Sequence, residues 1–398
     1  MIPKIDSEIG ISVYTTSFAG CGGKIKSKDD DFLVSEVLSK NAIQNISADG
    51  DYAVYKLKKH GIDTNHSLAN VFKKYNLRLK SLGLKDATAV TEQYVCSEKK
   101  LNSIANISED KYSLERIGFV KKPLSKKDMI GNQFKIKITD TSIDISKFNE
   151  FDKILNFYGY QRFGSKRPVT HLIGKALLQQ DYPKAVNLLL SFTSEYDSPG
   201  NTKLRKNLSD KSNYSKLLDE IPFQMDLERI VVNQMIQDDD PKKAIRALPL
   251  AIRRFYLQAY QSFLFNKTLS MAFIDGEDLF LPQQGDVCYD KNGIIGKFSN
   301  EPGQRLSIPF VGYSYYKKTR FHYQISKILE SEEVSPKDFF LKEMQEISSE
   351  GGFRNSSIKC DDIDITNDWI RFTLSRGSYA TIVMREVMKP KDPIDAGF

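Results

Sequence analysis

A single aspartate in a run of small and polar residues is the strongest candidate for chemistry in this sequence. The run is Gly83-Leu84-Lys85-Asp86-Ala87-Thr88-Ala89-Val90-Thr91-Glu92-Gln93, in which Asp86 directly follows a lysine. A carboxylate beside a cation, in a turn of small residues, can act as a nucleophile. The commoner role of an aspartate in such a turn is to accept a hydrogen bond from a backbone N–H. The residues alone favour the structural role and leave the catalytic one open.

Two further stretches are predicted to be strands, in which alternate side chains point the same way. Phe32, Val34 and Glu36 then share a face of one strand, and Phe134, Ile136 and Ile138 share a face of the other, with lysines opposite. An aromatic ring and a polar group on one face can serve a binding site. A half-buried strand explains the same pattern, and taken alone Phe134 is more typical of a core than of a stacking platform.

The elements around Asp86 are predicted to be regular. A strand is predicted over residues 51–57. Asp63 is predicted to be the N-cap of a helix that ends before Gly83, because apolar residues then recur at helical spacing. Residues 91–96 are predicted to form another strand. Asp86 would then lie in a loop held by rigid elements, a common position for catalytic groups.

Composition bounds the class of protein. The chain has 398 residues, 40% of them hydrophobic, which predicts two or three folded domains. The net charge of +7 suits a polyanionic partner, although many basic enzymes never bind nucleic acid. No signal sequence or membrane span is legible, so we expect a cytoplasmic protein.

Metal and phosphate-loop chemistry have no legible motif. The four cysteines form no CxxC pair and the four histidines show no metal-ligand spacing, which predicts reduced thiols and no metal centre. The glycine-rich segment 20–24 lacks the glycine and the Ser or Thr that a phosphate loop requires.

The middle of the chain is predicted to be mainly helical. Phe148, Phe151, Leu155 and Tyr158 are spaced as one face of a helix, and residues 253–271 are predicted to form a long helix whose aromatic stripe packs in a core. The polar run 195–216 contains Pro199-Gly200 and is predicted to be a loop.

Six stretches resemble, in order, motifs of the TruD family of pseudouridine synthases. GLKDATAVTEQ resembles the family signature that contains the catalytic aspartate. Residues 25–36 resemble I-K-x-x-P-E-D-F-x-V-x-E, with Asp29 where the family usually has proline. The other four matches are GNQF at 131–134, NFYGYQRFG at 156–164, ALPLAIRRFYLQAYQSFLFN at 247–266 and GSYATIVMRE at 377–386.

The resemblance implies a role for particular residues. Asp86 would be the catalytic residue, acting on a uridine flipped out of its stack. Three residues would support the catalytic site (Lys26, Arg385, Glu36), and four would bind the substrate (Phe32, Asn132, Phe134, Tyr379). Four cations are possible RNA contacts (Lys85, Arg162, Arg253, Arg254). For Arg253 and Arg254 a solvated charge is at least as good an interpretation.

The resemblance also implies an α+β fold. Residues 1–160 and 356–398 would form the pseudouridine synthase catalytic domain, with a mixed, largely antiparallel sheet. Residues 161–355 would form an inserted α/β TRUD domain. The segment QAYQSFLFN and the chain length are most similar to the archaeal branch of the family.

The implied function is a tRNA pseudouridine synthase, an isomerase that converts uridine 13 of tRNA and needs no cofactor and no metal. The expected partner is tRNA, without a membrane, and the oligomeric state stays open. An RNA-binding protein or RNA chaperone that kept the fold without catalysis is the alternative, against which an unaltered Asp86 argues. A methyltransferase or a zinc deaminase would need motifs that this sequence lacks.

Overall fold

The computed structural model describes residues 1–83, 85, 89–98 and 104–398. The chain forms two compact units. The first unit is Met1–Thr15 with Leu155–Ser357, and the second is Thr16–Ile154 with Ile358–Phe398. Compactness does not assign a function to either unit, so the division into a catalytic domain and an insertion domain stays a prediction.

The strands of the described chain are short to medium in length. They are β1 (Gly22–Lys24), β2 (Phe32–Leu38), β3 (Tyr52–Lys59), β4 (Leu79–Ser81), β5 (Val90–Ser97), β6 (Asn106–Ser108), β7 (Tyr112–Val120), β8 (Met129–Lys137), β9 (Thr139–Thr141), β10 (Val287–Tyr289), β11 (Ile295–Lys297), β12 (Arg305–Phe310), β13 (Gly352–Asn355), β14 (Cys360–Thr366) and β15 (Trp369–Ser375).

The α-helices lie mostly in the first unit. They are α1 (Lys4–Glu8), α2 (Lys40–Gln44), α3 (Thr64–Tyr75), α4 (Thr170–Leu178), α5 (Tyr182–Ser191), α6 (Pro199–Asn207), α7 (Tyr214–Leu217), α8 (Asp226–Asp238), α9 (Pro241–Ala247), α10 (Leu250–Ile274), α11 (His322–Ser331) and α12 (Ala380–Met388).

The second unit is built on one large sheet. Its strands follow the order β14-β15-β8-β2-β5-β3-β7-β6, with β4 paired to β5. The pair β2–β5 is parallel and the other pairs are antiparallel, so the predicted mixed, largely antiparallel sheet is confirmed. Burial alternates strictly along β2, which confirms that Phe32, Val34 and Glu36 share the buried face.

Two helices of this unit are held by apolar contacts. Val71 of α3 is fully buried in a cluster with Tyr55 and Leu57 of β3, and Asp63 is the N-cap of α3, as predicted. Every residue of α12 is buried. Burial of this apolar area from water is the main favourable term that holds both helices in place.

The first unit combines helices with a four-stranded antiparallel sheet of order β11-β10-β12-β13. Its long helix α10 confirms the helix predicted over 253–271. The N-terminal residues belong to this unit because α10 binds their backbone. The amide of Asn266 donates to the carbonyl of Ile9 at 2.9 Å, and Ser270 Oγ donates to the carbonyl of Gly10 at 3.0 Å.

Two predictions about the middle of the chain are wrong. Residues 148–158 form no α-helix. Phe148 and Phe151 pack edge to face at 4.7 Å, and the backbone N–H of Asn156 bonds to the carbonyl of Ser356 instead of to its own preceding turn. The run 195–216 contains α6 and the start of α7. Ser198 caps α6 and Pro199 occupies its first turn, where the missing N–H costs nothing.

Candidate functional site

The sheet of the second unit brings four of the predicted site residues onto one face. Glu36 lies directly opposite Asn132 in the β2–β8 register, and Val34 lies opposite Phe134. Because side chains alternate along each strand, Phe32, Glu36, Asn132 and Phe134 all project from the same face. The sequence predicted the shared face of Phe32 and Glu36, and strand pairing adds Asn132 and Phe134 to it.

Aromatic rings form one part of this face. The rings of Phe32 and Phe134 meet edge to face with centroids 6.2 Å apart, and Phe372 lies 5.8 Å beyond Phe134. The ammonium of Lys26 lies 4.8 Å from the centre of the Phe32 ring, within range of a cation–π contact. Lys26 adopts a backbone φ of +57°, which is uncommon for a residue with a side chain. The predicted support residue therefore contacts a predicted substrate-binding residue.

Two buried side-chain oxygens on this face have no hydrogen-bond partner within the described residues. They are Oδ1 of Asn132 and Oγ1 of Thr91. Thr91 lies beside Val34 in the parallel β2–β5 register, so it shares the face of Asn132 and Phe134. A buried acceptor without a partner costs about 1 to 3 kcal/mol, and most buried polar atoms of folded proteins have a partner. These atoms can accept hydrogen bonds from a ligand.

A buried ion pair joins this face to the residue that precedes Asp86. The ammonium of Lys85 lies 2.8 Å from Oε1 of Glu36, whose side chain is fully buried. The other oxygen of Glu36 accepts the backbone N–H of Tyr94 at 2.9 Å. A Cβ added to Gly83 would come within 3.2 Å of both charged atoms of the pair, so a side chain here would press on the ion pair. Lys85, predicted as a possible RNA contact, has its charged group bound to Glu36.

Two polar side chains hold the backbone on either side of Leu84. Lys85 donates its backbone N–H to Oγ1 of Thr64 at 2.9 Å, and the carbonyl of Lys85 accepts the backbone N–H of Thr64 at 3.2 Å. Thr64 Oγ1 lies 2.9 Å from Oε1 of Gln93, and Nε2 of Gln93 donates to the carbonyl of Gly83 at 3.1 Å. The short segment before Asp86 is therefore bound at both of its described residues.

Asp86 itself lies outside the described residues, as do Leu84, Ala87 and Thr88. Its role is therefore a prediction that rests on the sequence. The nearest residues on either side of Asp86 that the structure describes are Lys85 and Ala89.

The C-terminal motif supplies two further predicted residues. Tyr379 is the N-cap of α12, and its side chain is half-buried. Arg385 is fully buried within α12, where Nη1 donates to Oε1 of Glu386 at 3.0 Å. The second oxygen of Glu386 accepts the backbone N–H and the hydroxyl of Thr16. In this position Arg385 binds Glu386, and its part in supporting a catalytic site stays a prediction.

Three of the predicted RNA contacts belong to the first unit, where each binds a neighbouring group. Arg162 lies over the rings of Tyr158 and Phe255 and donates to Ser262 Oγ at 3.0 Å. Arg253 forms an ion pair with Glu346, and Arg254 Nε donates to the carbonyl of Glu346 at 2.8 Å. Their contact with RNA stays a prediction.

The sequence analysis did not identify three buried polar residues next to this site: Thr64, Gln93 and Lys59. Gln93 stands inside the signature stretch, which is the one signal that pointed to it. Lys59 is fully buried, lies opposite Thr91 in the β3–β5 register and donates to the carbonyl of Ile62 at 2.9 Å. Strand residues with long polar side chains are easily interpreted as solvated, so their burial is visible only in the fold.

The thiols of Cys21 and Cys288 are buried and unreactive near neutral pH. Burial raises the pKa of the Cys21 thiol and of the Cys288 thiol to about 11, which keeps both protonated near neutral pH.

Among the residues that the structure describes, no cluster of three or more His, Cys, Asp or Glu side chains is placed to hold a metal ion. In the same residues no helix is both long enough and apolar enough to cross a membrane.

Comparison with known proteins finds similarity along the whole chain. The family model described as tRNA pseudouridine synthase D (TruD) matches residues 8–387. A protein of Pyrobaculum islandicum, named probable tRNA pseudouridine synthase D, is 30% identical over 416 aligned residues that cover 100% of this chain and 99% of that protein. The protein of the same name from Methanococcoides burtonii is 28% identical and covers 98% of each chain. A crystal structure of the TruD protein from Methanosarcina mazei matches with a TM-score of 0.77 and 25% identity, over 99% of both chains.

Proposed function

Since the chain belongs to the TruD family of tRNA pseudouridine synthases, we propose that it isomerises uridine to pseudouridine in tRNA, with Asp86 as the nucleophile. The observation that carries the proposal is the arrangement on one sheet face. The family's aromatic and asparagine motifs lie there together, and a buried ion pair joins that face to Lys85, the residue before Asp86.

The reaction sets the requirements for the site. The N1–C1′ bond of uridine breaks, the base rotates, and C5 bonds to C1′ while C5 loses a proton and N1 gains one. Nothing is oxidised and no nucleotide is hydrolysed. Attack of the aspartate at C1′, attack at C6 and a glycal route all require an ionised carboxylate next to the bond that breaks. A nearby cation favours the ionised form, and Lys26 is the candidate on this face.

The base must also leave its stack, at a cost of a few kcal/mol. Phe32 and Phe134 offer aromatic edges and faces against which a uracil ring can pack. Asn132 Oδ1, which has no partner within the described residues, is an acceptor that suits the N3–H donor of uracil. Tyr379 is the further aromatic residue that we assign to the substrate.

The target that we propose is uridine 13 of tRNA, the family's usual substrate. The test is pseudouridine formation in unmodified tRNA that carries U13, comparing the intact protein with Asp86→Asn. A tRNA with cytidine at position 13 is the control for the site. We expect product from the intact protein with the U13 substrate alone, and none from the variant, while both proteins bind the tRNA equally.

Other outcomes would decide against parts of the proposal. Binding by both proteins with product from neither, across several RNAs, would favour an RNA-binding protein without catalysis. Product at another uridine would keep the activity and change the target. Full activity in Asp86→Asn would exclude Asp86 as the nucleophile.

A further inference from the structure

The backbone on both sides of Leu84 is tied to one buried side-chain relay. The relay consists of Thr64 and Gln93, of which Gln93 is fully buried and Thr64 is 1% exposed. It binds the backbone N–H of Lys85 and the carbonyls of Gly83 and Lys85. These groups belong to the two residues that flank Leu84, directly before Asp86 in the chain.

The hydroxyl of Thr64 accepts the N–H of Lys85 and has a single proton to give. Oε1 of Gln93 at 2.9 Å and the carbonyl oxygen of Lys85 at 3.3 Å are both within reach of that proton, and the shorter contact is to Gln93. The amide nitrogen of Gln93 is then left to donate to the carbonyl of Gly83. A reversed amide would set two carbonyl oxygens against each other, so the orientation of Gln93 is fixed by its partners.

Regular elements hold both members of the relay. Thr64 is the first residue of α3, and Asp63 caps that helix. The backbone N–H of a first-turn residue has no partner inside its helix, and in Thr64 it bonds to the carbonyl of Lys85. Gln93 lies in the middle of β5, between β2 and β3. The relay therefore holds the backbone of Gly83 and Lys85 at a fixed place relative to the first turn of α3 and the middle of β5.

We propose that Thr64 and Gln93 are positioning residues, which orient the proposed nucleophile Asp86 by fixing the backbone before it. This inference rests on the proposed function for its catalytic part. Neither residue needs to touch the substrate. Effective attack requires the carboxylate in a narrow range of distance and angle, and a misplacement of about 1 Å can cost on the order of 100-fold in rate.

The experiment compares Thr64→Val with Thr64→Ser. Valine keeps the shape and removes the hydroxyl, whereas serine keeps the hydroxyl. Gln93→Leu removes the other half of the relay. Ser97→Ala is the matched control, because Ser97 is equally buried on the same strand and its hydroxyl accepts the backbone N–H of Ala53, away from the relay.

Two measurements are made on each variant, with the melting temperature as a check on folding. The first is amide hydrogen exchange of Lys85, which needs no activity. We expect exchange about 10-fold faster in Thr64→Val, from the loss of one hydrogen bond, and no change in Thr64→Ser or Ser97→Ala. The second is the single-turnover rate of pseudouridine formation. We expect a fall of about 10- to 100-fold in Thr64→Val and Gln93→Leu, with tRNA affinity within about twofold and with near-normal rates in Thr64→Ser and Ser97→Ala.

Each outcome decides the proposal. Unchanged Lys85 exchange in Thr64→Val would overturn the relay itself. Faster exchange with a turnover rate no lower than in Ser97→Ala would overturn the positioning role. If the intact protein made no pseudouridine in any RNA, the proposed function would fail, and with it the catalytic part of this inference, while the exchange result would still decide whether the relay exists.

Discussion

At the scale of single residues, burial determines how much each ion pair of this sheet contributes to the stability of the fold. The pair Glu36–Lys85 is buried on the site face, whereas Lys56–Glu92, on the neighbouring strands, is more than one-third exposed on each side. The two pairs have similar lengths, 2.8 Å and 3.0 Å. A buried charge that loses its partner remains desolvated, while an exposed one is rehydrated.

We therefore expect Glu36→Gln to lower the free energy of unfolding by about 3 kcal/mol. The matched change Glu92→Gln should cost no more than about 1 kcal/mol, because water and salt already screen its pair. Urea unfolding of both variants measures the difference. Equal losses would mean that Glu36 and Lys85 are hydrated in solution.

His171 makes the stability of the first unit depend on pH. The ring is buried against Phe163 and Phe263, and desolvation lowers the pKa of His171 to about 4, although Glu332 acts in the opposite direction. The unfolded chain, with a histidine pKa near 6.5, binds the proton more readily. Stability is therefore fully present above about pH 6.5 and falls as the pH decreases towards 4.

Between pH 7 and pH 5 this difference corresponds to a loss of about 2 kcal/mol. Urea unfolding at both pH values should show the loss, and His171→Phe should remove most of it by replacing the imidazole with a ring that does not titrate. The two proteins are compared by the slope of their unfolding free energy against pH, because the new side chain also changes the packing and hence the absolute stability. An unaltered slope in His171→Phe would assign the pH dependence to other groups.

The sequence predicted shared strand faces better than contact partners. Asn132 came from the family resemblance, whereas alternation along β2 was enough to place Phe32 with Glu36. It did not reveal that Glu36 binds Lys85, because that pair joins residues distant in the chain through a strand order that periodicity does not specify. For the same reason Thr64 gave no signal.

At the scale of elements, the spacing of β8 and β15 depends on one glycine. A Cβ at Gly131 would lie 2.0 Å from the carbonyl oxygen of Leu374, closer than any real contact. Gly131 precedes Asn132, so this close approach of β15 lies next to the asparagine that the proposed site needs. The glycine of the GNQF motif thus has a packing reason as well as a place in a family pattern.

Gly131→Ala should force β8 and β15 apart, with a loss of about 2 to 3 kcal/mol and a fall in pseudouridine formation. Gly296→Ala is the control, since nothing lies within 4 Å of its added Cβ. Thermal unfolding and turnover of both variants test the expectation. A stable, active Gly131→Ala would show that β15 can shift without disturbing Asn132.

Elements were predictable where the pattern and the local signals agreed. The strands around residues 51–57 and 91–96, the Asp63 cap and helix α10 agree with their prediction. The segment 148–158, where a helix was predicted, has apolar residues at helical spacing but neither an N-cap nor an element against which such a helical face packs. The segment 195–216 had a cap, Ser198 with Pro199, which was interpreted as a loop signal because proline and glycine occur in both.

At the scale of the whole molecule, the net charge of +7 suits an RNA partner. Four exposed lysines of the second unit lie on the connection from β7 to β8, the strand that carries Asn132 and Phe134: Lys121, Lys122, Lys126 and Lys127. Contacts between lysines and phosphates release counterions, so affinity falls as salt rises.

We expect the affinity for tRNA to fall steeply with salt, with a slope of log K against log salt of about −0.7 to −0.9 for each phosphate contacted. Changing these four lysines to glutamine should make that slope shallower by up to about 3. The control changes four exposed lysines of the first unit, namely Lys203, Lys206, Lys216 and Lys337. An equal effect of both sets would mean that the overall charge, and not the β7–β8 connection, governs binding.

The division of the second unit between two distant parts of the sequence affects how the protein is made. A ribosome synthesises residues 16–154 before residues 155–357, which complete the first unit, and residues 358–398, which contain β14, β15 and α12, follow after both. Until then β8 has no neighbour on its outer side and is an exposed edge strand, the kind of surface on which nascent chains aggregate or recruit chaperones. The strand that carries Asn132 and Phe134 therefore gains its second neighbour last. Errors of synthesis in residues 358–398 would impair this site while leaving the first unit intact.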